Sequence, residues 1–305
     1  MNKNTLLKMI AVFVLVLTTQ TVFGGDDPKY TIANVWEPGS YTLRQDCFIS
    51  LITSVEKKVT SRDQTQVLFT WYADVSELQE GGIQKLILKA SRVMLRFEAN
   101  DSELAFFDSS NEGANDEFVN DLFRRFMSAS IEVVIKNGKT ESASVKDDVW
   151  KGIEPKNQDE KAFYERFQSL LTKENFEQIF DPFSWVANQE EVQLNDEWSN
   201  EIITSVQGVG DQSLRWNCKL DSIRKIGSST FANVVANSNL EVKVQELLTA
   251  DLKATIKVKF NAKTGSPTDL ESRTTVSAVK TSENPEEPEM NITALQRNNL
   301  TVAKR

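Results

Sequence analysis

The sequence predicts an α+β protein, mainly β, built from antiparallel meanders with helices set between them. Three observations predict it. Long stretches alternate apolar and polar residues with period two, short turn signals separate those stretches, and two Phe-rich blocks switch to helical spacing. With 305 residues, 40% apolar and 26% charged, the chain can bury a core as one large or two modest domains.

The first strand is read over 41–55. Tyr41, Leu43, Cys47, Ile49, Leu51 and Val55 share one phase, and Arg44, Asp46, Ser50, Ser54 and Glu56 dominate the other. The stretch 67–78 repeats the β-branched and aromatic enrichment. Gly81-Gly82 marks a hairpin into 83–97, and Asn100-Asp101-Ser102 turns the chain into 104–107, completing a four-strand meander. Phe118, Val119, Leu122, Phe123, Phe126 and Met127 then fall at helical spacing behind an acidic first turn of Asp116 and Glu117. A hairpin over 131–135 and 140–145 turns at Asn137-Gly138. The region 147–180 reads as helical, with Phe163, Phe167, Leu170 and Leu171 on one stripe and Phe176, Ile179 and Phe180 on another, and Asp181-Pro182 ends it. A second meander follows over 197–206, 213–223, 230–235, 240–247, 252–260 and 268–279, punctuated by Gly208, Gly210, Gly227 and Thr264-Gly265.

The ends of the chain read differently. Lys3 and Lys8 precede an unbroken apolar run over 9–17, and Val22 and Gly24 supply small residues for cleavage after Gly24. Residues 1–24 are therefore expected to be a signal peptide, the alternative being an uncleaved anchor; without a cysteine at the cut the product is not a lipoprotein. The expected location is periplasmic or secreted. Residues 25–40 read as a linker around Pro28, Pro38 and Gly39, 41–280 as a single domain, and 281–305 as a disordered tail rich in Glu and Pro. Within the domain, halves 41–146 and 196–280 are joined by the helical segment 147–185. Leu43-Arg44-Gln45-Asp46-Cys47 echoes Leu214-Arg215-Trp216-Asn217-Cys218, one pentapeptide in each half. In an exported chain Cys47 and Cys218 invite a disulfide, with two buried free thiols as the alternative.

Composition excludes several chemistries. The chain has no histidine and two cysteines, which removes the commonest general base and the usual zinc ligands. No nucleotide-binding glycine motif, nucleophile elbow or EF-hand pattern is present. No catalytic residue, cofactor or metal is therefore expected. Carboxylates are the only familiar acid-base groups left; Asp108 with Asp101 and Glu103, or Asp147-Asp148, could pair, but turn chemistry and a helix start account for them better. Losing Lys3 and Lys8 with the leader takes the net charge from −9 to about −11, which argues against nucleic acid as a partner.

Lys89-Ala90-Ser91-Arg92-Val93-Met94-Leu95-Arg96-Phe97, Phe107-Asp108-Ser109-Ser110, the Gly-Gly turn and the Phe- and Met-rich helix together resemble an exported bacterial family of no established activity. Leu194-Asn195-Asp196-Glu197-Trp198 is similar to its Gly-Asp-x-Trp motif with Asn195 in place of glycine. Phe260-Asn261-Ala262-Lys263-Thr264-Gly265 is similar to its Phe-Asp-x-x-x-Gly turn with Asn261 in place of the acid. The resemblance covers roughly residues 40–280. It implies a strongly curved antiparallel sheet, a half-barrel, with helices packed on its concave face, similar to periplasmic lipoprotein carriers and localisation factors. Such a sheet could hold an apolar small molecule or lipid, with Phe118, Phe123, Phe126, Met127, Phe163, Phe167, Phe176 and Phe180 as the candidate cavity lining. The expectation is a non-enzymatic exported binding protein. The alternative is a structural or envelope-assembly module with a filled core that docks another envelope protein.

Overall fold

In the computed structural model of the chain, which describes residues 28–145, 149–206, 210–245, 248–280 and 290–305, most of the protein is one antiparallel sheet. The strands are β1 (Tyr30–Ile32), β2 (Gly39–Val55), β3 (Lys58–Val75), β4 (Ile83–Ala99), β5 (Ser102–Asp108), β6 (Ile131–Lys136) and β7 (Lys139–Val145), followed by β8 (Asn188–Val192), β9 (Glu197–Val206), β10 (Gly210–Ile226), β11 (Ser229–Gln245), β12 (Leu248–Asn261), β13 (Pro267–Lys280) and β14 (Met290–Lys304). The helices are α1 (Glu117–Ser128), α2 (Gln158–Ser169), α3 (Lys173–Phe180) and α4 (Pro182–Trp185). The strand order is β7-β6-β4-β3-β2-β14-β13-β12-β11-β10-β9, with β5 beside the second half of β4, and β1 and β8 form a separate ribbon.

Local chemistry sets the hairpins. Glu56-Lys57, Asn100-Asp101 and Asn137-Gly138 each place two successive residues at positive φ, the turn whose twist matches that of antiparallel strands. Asp116 caps α1 by accepting from Val119 N at 2.8 Å, and Asn157 caps α2 by accepting from Glu160 N at 2.8 Å.

The sheet curls because its helices hold both of its ends. On the β7 side, Asp181 Oδ1 accepts from Thr140 N at 2.7 Å. On the β9 side, Asn200 Nδ2 donates to Trp185 O at 2.8 Å and to Ala187 O at 2.7 Å. In the middle, Asn298 Nδ2 of β14 donates to Gln178 O of α3 at 3.3 Å. The eight-residue α3 is ~12 Å long, while five strand spacings from β7 to β14 cover ~24 Å of sheet. Contacts at both places require the strands to wrap around the helix. The two edges β7 and β9 do not pair with each other, so the result is an open half-barrel with helices inside it.

Both termini of the domain extend beyond the expected limits. Residues 290–305, expected as tail, form β14, a central strand hydrogen-bonded to β2 and β13 along its length. The Pro-Glu run at 281–289 lies outside the described residues. The expected linker is part of the body: Trp36 is 1% exposed, its ring set edge-on against Tyr41, Phe180 and Phe183. Gln84 clamps its backbone, accepting from Trp36 N at 3.1 Å and donating to Trp36 O at 2.6 Å. Stretch 230–235 and the described part of 240–247 belong to one strand, β11, because Ala236 and Ser238 continue the buried phase across the polar run between them; residues 246–247 lie outside the described residues.

Candidate ligand site on the inner face

Register and burial together separate the two faces of the sheet. Leu43 pairs with Trp71, Cys47 with Val67 and Leu300 with Leu270, and this phase faces the helices. Along β2 the same face passes through Ile49 and Leu51, and here burial fails: Ile49 is 42% exposed and Leu51 40%. One end of the inner face is covered and the other is not.

The covered end is filled. Phe126 lies 6.1 Å from Phe69, 5.8 Å from Trp71 and 5.1 Å from Phe167, centroid to centroid. Phe123 reaches Phe167 at 5.6 Å, Phe163 reaches Phe107 at 4.8 Å, Phe176 reaches Trp71 at 6.2 Å, and Phe176 stacks on Phe180. Phe118 and Met127 pack partly buried against the same cluster. These eight residues therefore make a core, which corrects the reading of them as a cavity lining. The void beside them, bounded by Val67, Leu95, Phe97, Phe163, Phe167 and Leu170, is about 20 Å³, room for no more than a water.

The uncovered end is a bay. Leu51 pairs with Ala294, Ala294 with Val276, Val276 with Leu252 and Leu252 with Leu240, one apolar row across β2, β14, β13, β12 and β11. Four strand gaps make it ~19 Å wide. The next row outward is Thr53, Ile292, Ala278 and Ala250. Leu240, Leu252, Val276, Ile292 and Ala294 are each partly exposed. On the opposite face of the same strands Ser50, Thr275, Ser277, Lys253, Asp251 and Asn239 stand beside Ile52 and Leu295, so that face is mostly polar and the continuous apolar row lies on the inner side. A polar belt divides bay from core: Gln296 Nε2 donates to Gln178 Oε1 at 3.1 Å, beside the Asn298–Gln178 bond. The sequence signal for the bay is the run Cys47, Ile49 and Leu51 in the apolar phase of β2; nothing in it marks where the helices stop.

The cysteines do not meet. Cys47 lies on β2 and Cys218 on β10, four strands intervene, and both thiols are free. A disulfide needs Cα atoms within ~7 Å, so of the two alternatives the structure has the free thiols, Cys218 buried and Cys47 partly so. Burial pushes Cys47 up to about 11 and Cys218 up to about 12, which keeps both protonated at neutral pH.

The carboxylates are engaged structurally. Asp108 Oδ2 accepts from Arg92 Nη2 at 2.6 Å and its Oδ1 from Arg92 Nε at 3.2 Å, while Ser110 N and Oγ also donate to Oδ1. The guanidinium holds the Asp108 carboxyl down at about 2, against a smaller opposing effect of burial. At neutral pH it has no proton to give. Asp101 pairs with Arg62 and Glu103 with Arg96, so the three acids point to three different arginines. Asp147 and Asp148 lie outside the described residues. Among the described residues no group of three or more Cys, Asp or Glu is placed to hold a metal ion, and no helix is long and apolar enough to cross a membrane.

No family model matches the chain, and no curated protein matches it, so the resemblance to an exported family rests on the quoted motifs alone. Solved structures that match the chain include one of lipid–protein interactions in lipovitellin, at 10% identity and a TM-score of 0.48, covering 88% of this chain and 26% of that one. The chain thus spans about a quarter of lipovitellin's length. Two others are OpdQ of Pseudomonas aeruginosa (6% identity, 86% of this chain and 99% of that one, TM-score 0.23) and an outer membrane channel of Pseudomonas putida F1 (9%, 92% and 100%, TM-score 0.20). At these TM-scores the likenesses carry no functional weight.

Proposed function

We propose that this protein is a non-enzymatic, exported binding protein that holds an apolar or lipid-like molecule against the uncovered end of its inner sheet face. The observation that carries the reading is the exposure of Ile49 and Leu51 on a face whose other half is packed to exclusion of solvent. Contiguous exposed apolar surface is costly in water, and each methylene buried against it returns ~0.8 kcal/mol. Export rests on the leader over 1–24. Native mass spectrometry of protein purified without detergent tests the reading: a co-purifying lipid-sized mass, released on unfolding, is expected, and repeated recovery of the bare chain together with failure to take up an added fatty acid would contradict it.

A second reading, an envelope-assembly module, has its own observation. Strand β9 ends the sheet and carries Ile203 at 77% exposure, an edge open to pairing with another protein. Ile203→Lys would weaken such an assembly and leave lipid uptake unchanged.

A further inference from the structure

The outer face of the sheet carries a second feature, independent of the bay and on the opposite side of the strands. Across β10 to β14 lies a hollow of about 930 Å³, lined by five cations, Arg224, Lys257, Lys259, Arg273 and Arg297, and three carboxylates, Asp221, Asp269 and Glu271. Its cause is local. The β10–β11 pairing slips at Asp221 and the β12–β13 pairing slips at Phe260, and bulges of this kind bend and overtwist strands.

The charges inside it do not balance. Lys259 meets Asp269 at 2.6 Å and Lys257 meets Glu271 at 3.4 Å, each across a strand gap, as sheet pairing favours. Arg273 instead stands directly opposite Arg297. Like charges at that spacing repel, and among the described residues neither arginine has a carboxylate within ion-pair distance. With the two lysines neutralised, Arg273 and Arg297 leave a local excess of positive charge on a chain whose net charge is −9. Screening limits the field to ~8 Å, so a group beside this pair meets it more strongly than it meets distant acids. Arg297 is also oriented, its guanidinium 5.8 Å from the centroid of Phe48.

We propose that Arg273 and Arg297 form a phosphate-binding site on the outer face. The two residues are paired ~5 Å apart at the backbone, within side-chain reach of one tetrahedral oxyanion, and bound phosphate removes the repulsion between their guanidinium groups. The phosphate is either a lipid headgroup or a soluble phosphorylated molecule.

The test titrates inorganic phosphate into the full-length protein at constant ionic strength, with Arg273→Gln/Arg297→Gln and, as a control for net charge away from the hollow, Lys85→Gln/Lys89→Gln on β4. Phosphate is expected to bind the natural chain, weaken about tenfold or more in the arginine variant and change less than about threefold in the lysine variant. A second arm sediments the protein with vesicles of phosphatidylcholine containing about one part in five phosphatidic acid. Arginine-dependent sedimentation assigns the site to a headgroup; phosphate binding without sedimentation assigns it to a soluble molecule. Equal loss in the two double variants, or no arginine-dependent binding in either arm, overturns the site. Unchanged thermal melting of the exposed variants excludes misfolding as the cause of a loss.

Discussion

The two ends of the inner sheet face have the same strand chemistry and opposite fates. At one end Leu43, Trp71, Phe69 and Leu95 lie under three helices and are shut from water; at the other Ile49 and Leu51 continue the same phase exposed to solvent, and Val276 and Leu252 are partly exposed. Alternation builds a face, and only tertiary cover decides whether that face becomes core or stays open to solvent. The polar belt of Gln178, Gln296 and Asn298 is where one becomes the other.

The largest expected effect falls at the covered end. Phe126→Ala empties a site that touches Phe69, Trp71 and Phe167 and should cost ~3–5 kcal/mol, read as a lowered denaturation midpoint, while folded protein still binds an apolar probe. If probe binding fell in proportion to the stability lost, the two ends would not be separate. The converse change, Ile49→Gln/Leu51→Gln, should weaken apolar-probe fluorescence binding by about 10- to 100-fold and move stability by less than ~1 kcal/mol, because both side chains already meet solvent. Comparable losses in both measurements would place these residues in a core instead.

Smaller effects test the struts. Asp108 is held below the usual carboxylate range, so its pairing with Arg92 stabilises the fold above about pH 4 and is lost as pH falls through about 2. Arg92→Gln should cost about 1 kcal/mol at neutral pH, less than a fully buried pair because the Arg92 side chain is 45% exposed. Denaturation curves of the two proteins should converge below pH 2 or thereabouts; a gap that persists there would mean the arginine acts through packing. The smallest change is Asp181→Asn. Burial raises this carboxyl, so its ionisation opposes folding as pH rises through its folded value, while the amide oxygen of the variant can still accept from Thr140 N. The variant should match or exceed the natural chain at neutral pH by less than ~1 kcal/mol, with the advantage gone below about pH 4.

Much of this fold is legible in the residues. Period-two stretches mark β2, β4, β12 and β13, and Phe118 to Met127 mark α1, because each element has one wet face whose polarity reports its period. β14 escapes notice for the opposite reason: its inner positions include Asn298 and Gln296, polar residues serving the belt, and the Glu- and Pro-rich run before it reads as tail. Trp36 sits among turn residues and anchors through Gln84, a partner 48 positions away that no local pattern reveals. Of the candidate site, the greasy half-barrel is legible, and the choice of lining is not. Aromatic residues on short helices advertise bulk, yet bulk that can pack against Phe69 and Trp71 closes the space it would have lined.

A photoactivatable fatty acid, cross-linked to the protein and mapped by peptide mass spectrometry, tests the division of the inner face most directly. Adducts confined to the exposed ends of β2, β11, β12, β13 and β14, competed by unlabelled fatty acid, are the predicted result. Saturable adducts on α1, α2 or α3 peptides, with the bay unlabelled, would contradict it.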